Sequence, residues 1–553
     1  MKIQNPILKG FHPDPSIVRV GEDYYLATST FEWWPGVRLH HSRDLKHWEL
    51  IASPLNRMSQ LDLRGVGASQ GIWAPCLTYD QGTFYLVYTV VKAFYCNMYD
   101  TENYLVTAQD IRGPWSEPVA LNNFGFDPSL FHDEDGRKYM VSMVTDHRVP
   151  KKYAGRLVLQ KYDPVQKTMT GPVREIYRAE RIFLEGPHIF RRNGWYYLFS
   201  ADTGTGEGHG QTIQRSRSVW GPYEMYRADF MERTDEGEAY SILTSRHRPE
   251  LLLQKSGHCD LVETPEGEWY AVHLCGRAGR EKNPADAARF PGMRRYPLGR
   301  ETAIQKMKWT EDGWLVLDCG EEPQSNVPFV EIQGPKLQEY PFAQPPERDE
   351  FDKKELDPEF QSLRIPMDGR YLSLTARPGW LRLYGRSGLS SKFSQSLIAK
   401  RWTEFSFTVS TCLDFEPEVF KQMAGLILLY DTDNYLYLHV SRDEEIGKCI
   451  SILRAENGSY SYPAGYVPVD AGRSLILKAV VEQERLQFYW GYEETGTSPI
   501  GPVLETGFLS DEACREGWFT GAMAGICCQD LTGFGRYADF DWFEKKDGSQ
   551  TSS

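Results

Sequence analysis

Residues 14–26 read DPSIVRVGEDYYL, a Pro-containing turn and apolar strand followed by a second turn and an aromatic strand, and this pattern occurs five times. The copies begin at Asp14, Ala74, Asp127, Gly186 and Cys259. From the Pro (Asp260 in the fifth copy) to the end of the aromatic triplet, the distance is 11 or 12 residues in every copy. The copies start roughly 50 to 70 residues apart, a spacing that suits one four-stranded blade each. The repeat therefore predicts a five-bladed β-propeller.

Three carboxylates stand where separate copies begin, namely Asp14, Asp127 and Glu185. Taken singly, Asp-Pro and Gly-Pro are ordinary turn dipeptides. Equivalent positions of the blades converge at one end of a propeller axis, so we expect these three side chains to meet. An acid at the start of three separate repeats therefore indicates a functional site.

The bulk composition limits the number of domains and the class of partner. A chain of 553 residues is too long for one hydrophobic core, so two or three domains are expected. Hydrophobic residues make up 41% and aromatic residues 13%, which suits buried sheets. The net charge of −14, without a block of Lys and Arg, argues against a nucleic-acid partner.

The cysteines and the N-terminal segment bear on location. The ten cysteines are scattered without a CxxC pair, which argues against a zinc cluster and favours reduced thiols in an intracellular compartment. The first residues, MKIQNP, lack an apolar signal core, and no stretch approaches the length of a membrane span. The sequence therefore predicts a cytoplasmic protein without a membrane partner.

Strand-like runs separated by turn residues continue to the end of the chain, while helical periodicity is scarce, so a nearly all-β protein is predicted. The repeat ends before residue 320, and a segment rich in Pro and Glu follows it. We predict a propeller over 1–320, a linker over 321–345 with part of it packed as an edge strand, a jelly-roll or lectin-like β-sandwich over 346–545 and a tail over 546–553.

The surroundings of the three acids suit acid–base chemistry on a glycosidic bond. Such a reaction needs a protonated carboxyl for the leaving oxygen and an ionised carboxylate that activates water or attacks the sugar. Glu185 follows the apolar run 182–184, which favours its neutral form, so it is the predicted general acid. Asp14, between two prolines and beside a His, is the predicted general base. Asp127 would hold the acid's pKa up by like-charge repulsion.

Aromatic residues near these acids have two interpretations. Phe31 and Trp73 are candidate sugar walls, and packing between blades explains them equally well. His258, at the start of the fifth copy, is a candidate for contact with a sugar hydroxyl, and a buried structural histidine is the alternative.

Together, several segments resemble glycoside hydrolase family 43, and more narrowly its two-domain bacterial β-xylosidases of the β-xylosidase/α-L-arabinofuranosidase type. The segments in the first domain are residues 11–16, 71–75, 125–131, 185–187 and 296–302. The likeness continues in the second domain at residues 360–366 and 517–522.

The resemblance implies a five-bladed propeller followed by a β-sandwich, and an exo-acting, inverting hydrolase that releases xylose from the non-reducing end of β-1,4-xylo-oligosaccharides. It implies the same roles for the three acids, no required cofactor, and a homo-oligomer, either a dimer or a tetramer. Many members also cleave terminal α-L-arabinofuranosides. The implied sugar-pocket residues are Phe31, Trp73, Ala74, His258 and Phe519, the last reaching in from the sandwich.

Three places depart from the family pattern or leave it open. Members carry a sugar-binding Arg just before the Pro-Leu-Gly-Arg segment. Here that run is one residue shorter, with Arg294 the first candidate and Arg295 the second. Residues 202–209 differ where members have a substrate-facing loop. Some members hold calcium near a position corresponding to His273, although calcium prefers oxygen ligands and a buried hydrogen-bonded His fits equally well.

Two other functions are compatible with parts of this sequence pattern. Sucrose- and fructan-cleaving hydrolases share the architecture but retain configuration through an aspartate nucleophile in a Trp-x-Asn-Asp-Pro-Asn-Gly segment. This chain has residues 12–15, His-Pro-Asp-Pro, instead. A non-catalytic carbohydrate-binding propeller is the second rival, and it would not need an acid in three blades.

Overall fold

The computed structural model describes residues 1–94, 98–148, 154–279, 294–515 and 517–548. Over these ranges the regular structure is β-strand apart from a short 3-10 helix, Asp511–Ala513. No helix within them is long and apolar enough to cross a lipid bilayer. The predicted all-β class, a five-bladed propeller followed by a sandwich, is confirmed.

Each blade is built on four antiparallel strands in chain order, and the first of them lies nearest the propeller axis. In chain order the blades are Ser16–Val20, Asp23–Thr28, Arg38–Ser42, Glu49–Ala52; Gly71–Asp80, Thr83–Ala93, Asp100–Ala108, Val119–Ala120; Phe126–His132, Lys138–Val144, Gly155–Asp163, Thr168–Ala179; Leu184–Arg192, Trp195–Asp202, Gly210–Ser216, Glu224–Met225; and Leu253–Glu263, Trp269–Arg277, Glu301–Trp309, Leu315–Leu317. Leu243–Thr244 adds to the fourth blade, and a small hairpin joins Glu232–Arg233 to Tyr240–Ser241.

The repeated sequence forms the first hairpin of each blade, because every copy has a Gly in its turn. The five glycines are Gly21, Gly82, Gly136, Gly194 and Gly267, with φ values of 65°, 81°, 81°, 73° and 79°. A left-handed residue is what a tight hairpin turn demands, and Gly adopts it without a Cβ penalty. The constant spacing of the repeat is therefore the length of one hairpin.

Among the described residues, the last blade contains no strand from the N-terminal segment, so the ring closes through contacts between blades. Residues 1–12 lie along the fifth blade, with the Ile7 N–H donating to the Thr302 carbonyl over 2.8 Å. Asp260 of the fifth blade accepts hydrogen bonds from Ser16 Oγ and from the Ile17 N–H of the first, each over 2.8 Å. Lys2–Gln4 pairs antiparallel with Glu331–Gln333, so a strand within the predicted linker joins the N-terminal edge.

Two large sheets form the sandwich around an apolar core. The first contains Leu372–Ser373, Leu381–Tyr384, Tyr537–Asp547, Ser406–Asp414, Leu475–Glu482, Arg485–Tyr492 and Gly496–Glu505, with Arg348–Asp349 beside Tyr537–Asp547. The second contains Ser459–Ser461, Gly447–Glu456, Asn434–Asp443, Gln422–Asp431, Met523–Asp530, Ser396–Arg401 and Gln361–Leu363, with Val467–Pro468 beside Gly447–Glu456.

The two domains share a sheet. Trp33–Trp34, from a loop of the first blade, pairs with Gln361–Leu363 and so extends the second sandwich sheet. Across the same boundary the Arg277 guanidinium bonds to Glu301 in the fifth blade and lies 3.4 Å from Glu404 of the sandwich. One apolar cluster also contains residues of both domains. A large apolar interface of this kind fixes one domain against the other.

The C-terminal tail prediction was wrong in its first residues. The strand Tyr537–Asp547 includes positions 546 and 547, whose partners are Thr408 and Phe407. Their charged side chains resemble a frayed tail, but the backbone is paired in the sheet. Residues 549–553 lie outside the described residues, and the other domain boundaries stay predictions.

Candidate active site

A cavity of about 70 Å³ lies at one end of the propeller axis, closed on one side by the sandwich. It brings together seven predicted site residues: Asp14, Phe31, Trp73, Asp127, Glu185, His258 and Phe519. Its other lining residues are Tyr99, Phe126, Phe183, Thr205 and Arg300. Ala74, Arg294 and Arg295 do not line this cavity.

Each blade has one residue with left-handed backbone in, or just before, its axis-facing strand. These residues are Asp14, Ala74, Asp127, Gly186 and His258, with φ values of 52°, 34°, 49°, 53° and 54°. In blades two to five the pairing register shifts there, as at a β-bulge. Left-handed backbone at non-glycine residues costs of order 1–3 kcal/mol and clusters at functional sites. The bulges bring these chain positions to the cavity end of the axis.

Glu185 stands one residue before this ring position. It therefore does not occupy the position equivalent to Asp14 and Asp127, although the sequence predicted that it would. Gly186 takes the ring position in the fourth blade, and a Cβ there would lie 2.6 Å from the His258 ring. Because His258 occupies the space that a side chain would need, the acid of this blade comes from the preceding residue.

Asp14 is buried and held at both oxygens. Ser29 Oγ donates to Oδ2 over 2.6 Å, and the Arg300 guanidinium donates to Oδ1 over 2.7 Å. The Ala74 N–H donates to Ser29 Oγ over 2.8 Å. Ala74, predicted to line the pocket, therefore acts through its backbone, since its methyl group is too short to reach the cavity. These contacts aim the Asp14 carboxyl group at the cavity.

Glu185 lies among the aromatic rings that line the cavity, with 17% of its side chain exposed. Burial raises its pKa to about 7, against the pull of the Arg300 guanidinium and with the help of the negative charges of Asp14 and Asp202. A carboxyl with that pKa is a competent proton donor near neutral pH. The apolar run before Glu185 did indicate this environment.

Asp127 contacts the backbone that carries Glu185. Its Oδ2 accepts a hydrogen bond from the Gly186 N–H over 2.9 Å. Burial raises the pKa of Asp127 well above its usual value, and the charges of Glu185 and Asp14 raise it further. Carboxyls that share a buried site push each other toward the neutral form. Asp127 is thus placed to orient the peptide that carries Glu185.

The unusual pKa of Glu185 carries a cost in stability that a neutral side chain would avoid. A carboxyl whose pKa rises from 4.5 to about 7 on folding adds stability below pH 4.5, and this is lost as the pH rises through 7. We therefore expect Glu185→Gln to unfold with a free energy about 1–3 kcal/mol higher than wild type at pH 8, and with no gain at pH 4.5. Urea denaturation at both pH values measures this difference.

Glu175→Gln is the matched control for that measurement. Glu175 is part-exposed and pairs with Arg156 at 2.8 Å on an outer strand of the third blade. Its loss should change the unfolding free energy by about 1 kcal/mol or less at either pH. A Glu185→Gln gain of equal size at pH 8 and pH 4.5 would contradict the buried-acid interpretation.

Aromatic rings form the walls, as the sequence suggested for Phe31 and Trp73. The Phe519 ring from the sandwich lies 6.1 Å from the Phe31 ring and 5.2 Å from the Trp73 ring. Phe126 lies edge-on to Trp73 at 5.6 Å. Phe126 was missed, although its place directly before Asp127 could have revealed it. Tyr99 and Phe183 carried no such signal.

His258 is the fifth member of the ring and faces the general-base candidate. Its Nδ1 lies 3.7 Å from Asp14 Oδ1. Burial lowers the pKa of His258 to about 4, against the charge of Asp14, so the imidazole is neutral at neutral pH. A neutral imidazole in the wall is able to hydrogen-bond a sugar hydroxyl.

The arginine of the inner cavity is Arg300, which the sequence did not single out, and substrate contacts of Arg294 or Arg295 stay predictions. Besides Asp14, the Arg300 guanidinium donates to the Phe519 carbonyl over 3.1 Å and to Thr205 Oγ1 over 3.2 Å. Arg300 ends the Pro-Leu-Gly-Arg segment itself. Residues before that segment lie farther out, and only the folded chain shows which arginine turns inward.

Arg294 lines a second, outer cavity of about 530 Å³. Its Nε lies 3.2 Å from Glu207 Oε1. Arg295 lines neither cavity and packs against Gly507, where an added Cβ would lie 3.0 Å from Cζ. The outer cavity shares Tyr99, Phe183, Glu185, Thr205 and Phe519 with the inner one, and the sandwich residue Trp518 adds to its wall.

His273, the candidate calcium ligand, lies in the fifth blade away from both cavities. Its Nδ1 is 2.8 Å from the Leu274 carbonyl oxygen and its Nε2 is 3.3 Å from Gln305 Nε2. Across the described ranges no group of three or more His, Cys, Asp or Glu side chains is arranged to hold a metal. One imidazole without carboxylates does not fit calcium, which takes six to eight oxygen ligands.

Comparison with known proteins gives consistent results for both domains. Residues 3–315 match the family model described as Glycosyl hydrolases family 43, and residues 348–546 match the one described as Beta xylosidase C-terminal Concanavalin A-like domain. A Beta-xylosidase of Bacillus subtilis is 42% identical over 99% of this chain and 100% of its own length. Xylosidase/arabinosidase 43B of Humicola insolens is 44% identical over 98% of this chain and 97% of its own.

A solved structure shares the whole architecture. The crystal structure of a xylan β-1,4-xylosidase from Bacillus halodurans is 47% identical, covers 99% of this chain and 100% of its own, and superposes with a TM-score of 0.92. Full-length similarity at this level includes the propeller, the sandwich and the cavity between them. The chain therefore belongs to glycoside hydrolase family 43.

Proposed function

We propose that the protein is an exo-acting, inverting β-xylosidase that releases xylose from the non-reducing end of β-1,4-xylo-oligosaccharides. One observation carries the proposal: Glu185 lines both cavities, at the junction between the small inner one and the larger outer one. A glycosidic oxygen joins the terminal sugar to its leaving group, so a proton donor belongs at such a junction. The names of the Bacillus relatives support the choice of sugar.

The carboxyls then take separate roles. Asp14, held in place by Arg300 and Ser29, removes a proton from a water molecule as that water attacks the anomeric carbon. Glu185 gives its proton to the departing oxygen, so activity falls as the pH rises through its pKa of about 7. Asp127 orients Glu185 through the Gly186 N–H, and the charges of Asp14 and Asp202 help to keep Glu185 protonated. A binding module without catalysis has no use for three acids whose environments differ in this way.

The dead-ended shape of the inner cavity explains action on a chain terminus. Phe519 closes it from the sandwich, and its backbone is fixed by Ser69 Oγ, which accepts from the Phe519 N–H over 3.1 Å, and by Arg300. A sugar within a longer chain would have to pass through this wall. Only a terminal residue can therefore occupy the inner cavity.

A second activity on terminal α-L-arabinofuranosides is favoured by one observation. The Humicola relative, named Xylosidase/arabinosidase, is 44% identical over almost the whole chain. We propose arabinofuranosidase as the minor activity, because the names of the Bacillus relatives mention only xylosidase.

Proton NMR of xylobiose hydrolysis tests substrate and stereochemistry together. Inversion at a β-linkage releases the non-reducing-end sugar as α-xylose, so the α-anomeric signal should exceed its equilibrium share until mutarotation restores that share. p-Nitrophenyl α-L-arabinofuranoside, followed in parallel, measures the second activity. Release of β-xylose first would replace water attack with a retaining mechanism, and no xylose at all would overturn the proposal.

Location and assembly are two further proposals. We propose a cytoplasmic homo-oligomer, a dimer or tetramer; the nine cysteines within the described ranges are free, as in a reducing compartment. Light scattering of the purified protein measures the subunit number. Because a single imidazole does not fit calcium, we expect none to be bound at His273, and elemental analysis before and after chelation tests this.

A further inference from the structure

His209 is buried beside Glu185 and has no part in the mechanism above. The residue is fully buried, and its Nε2 lies 3.8 Å from Glu185 Oε1. Among the described residues this nitrogen has no hydrogen-bond partner. Buried polar atoms without a partner are rare and call for an explanation.

The other ring nitrogen determines the tautomer. His209 Nδ1 lies 3.2 Å from the Lys255 carbonyl oxygen, which can only accept a hydrogen bond. The ring proton therefore sits on Nδ1, and Nε2 presents a lone pair to the Glu185 carboxyl. Burial lowers the pKa of His209 well below its usual value, and the neighbouring His258, Arg300 and Arg246 lower it further. The imidazole is neutral throughout the working pH range.

The surrounding chain holds the ring in this place. Thr244 Oγ1 donates to the His209 carbonyl over 2.7 Å, and Arg246 Nε donates to the Gly208 carbonyl over 2.9 Å. The Arg246 guanidinium also pairs with buried Asp202. Gly257 leaves the necessary room, since a Cβ there would lie 2.9 Å from His209 Nε2. The segment 202–209, which departs from the family pattern, thus ends in a firmly positioned imidazole.

We propose that His209 is a positioning residue for Glu185. The lone pair on His209 Nε2 accepts a hydrogen bond from the protonated Glu185 carboxyl and opposes a negative charge on Glu185 Oε1. A small rotation of the carboxyl brings the two atoms from 3.8 Å to hydrogen-bond distance. His209 then keeps the proton on Glu185 until the leaving oxygen of the substrate takes it. The inference rests on the proposed role of Glu185 as the general acid.

His209→Asn tests this, because the Asn amide N can still donate to the Lys255 carbonyl while the Nε2 atom is removed. We expect the basic limb of kcat/KM on xylobiose to move down by about 0.5–1 pH unit. At pH 7.5 the xylobiose rate should then fall about 3- to 8-fold, and at pH 5.5 it should match wild type. On p-nitrophenyl β-D-xyloside, which leaves without protonation, the rate should change less than about 2-fold.

His439→Asn is the matched control. His439 is buried in the sandwich, and its Nδ1 also lies 3.2 Å from a carbonyl oxygen, that of Tyr437, but no carboxyl of the site is near it. Its replacement should leave the basic limb unmoved. An unmoved limb in His209→Asn, with equal losses on both substrates, would overturn the inference and leave His209 a packing residue.

Two further variants keep the result interpretable. If His209→Asn lacks a cooperative thermal transition, His209→Leu, which has no acceptor at the Nε2 position, decides by the same limb shift. Glu185→Gln, measured alongside, separates the two levels of the argument. If that variant retains xylobiose activity, the proposed general acid is wrong; if it behaves as expected while both His209 variants keep the wild-type limb, only the role of His209 fails.

Discussion

Asp14→Asn is expected to lower kcat/KM about 10²- to 10⁴-fold on both xylobiose and p-nitrophenyl β-D-xyloside. The Asp14 carboxylate is aimed at the inner cavity by Ser29 and Arg300, and an amide cannot take a proton from water. Attack by water is needed whatever the leaving group is. Steady-state kinetics on the two substrates at pH 6 measures the loss.

Asn is the appropriate replacement because Asp14 has a φ of 52°. Asn tolerates left-handed backbone almost as well as Asp does, whereas Ala would add strain and confuse a catalytic loss with a folding defect. Asp23→Asn in the same blade, which weakens part-exposed contacts with His41 and Arg43, should change the rate less than about 2-fold. A nitrophenyl rate within tenfold of wild type in Asp14→Asn would remove Asp14 from the role of base.

Glu185→Gln is expected to separate the two substrates. Xylobiose, whose leaving sugar needs protonation, should lose about 10²- to 10⁴-fold in kcat/KM, while the nitrophenyl substrate should lose about tenfold or less. The amide keeps the size of the side chain at the junction of the two cavities but has no transferable proton. The ratio of the two rate constants, measured at one pH, is the readout.

The pH profile supplies the independent check on Glu185. Wild type on xylobiose should lose activity as the pH rises through about 7, because Glu185 ionises there and an ionised carboxyl cannot donate. In Glu185→Gln the residual activity should have no such basic limb. Equal losses on both substrates, or a basic limb that survives the substitution, would assign the acid role to another group.

Local patterns predicted the fold well because each blade is a sequence-local unit. The hairpin length, the turn glycine and the alternation of apolar residues all lie within about 13 consecutive residues, and five copies imply a ring. The same locality placed Asp14 and Asp127 at one end of the axis. It misplaced Glu185 by one position. The His258 ring, from another blade, fills the space that a side chain at position 186 would need, and a local pattern does not include that contact.

Predictions that depended on contacts between distant segments were less successful. Ala74 acts through its N–H on Ser29, 45 residues away, and no side-chain pattern encodes a backbone donor. Arg300 was passed over for Arg294 and Arg295, since neighbouring arginines look alike until the chain folds. The pairing of Trp33–Trp34 with a sandwich strand had no local signal either.

By itself, the amino-acid sequence determined the five hairpins, the all-β class of both domains and the three acids, because turn chemistry and strand periodicity act between neighbours in the chain. Only the tertiary structure decided which arginine holds Asp14, how Phe519 closes the cavity and why His209 faces Glu185. Charge, burial and the direction of a lone pair depend on groups that lie from 24 to 286 residues apart in sequence and within 4 Å in space.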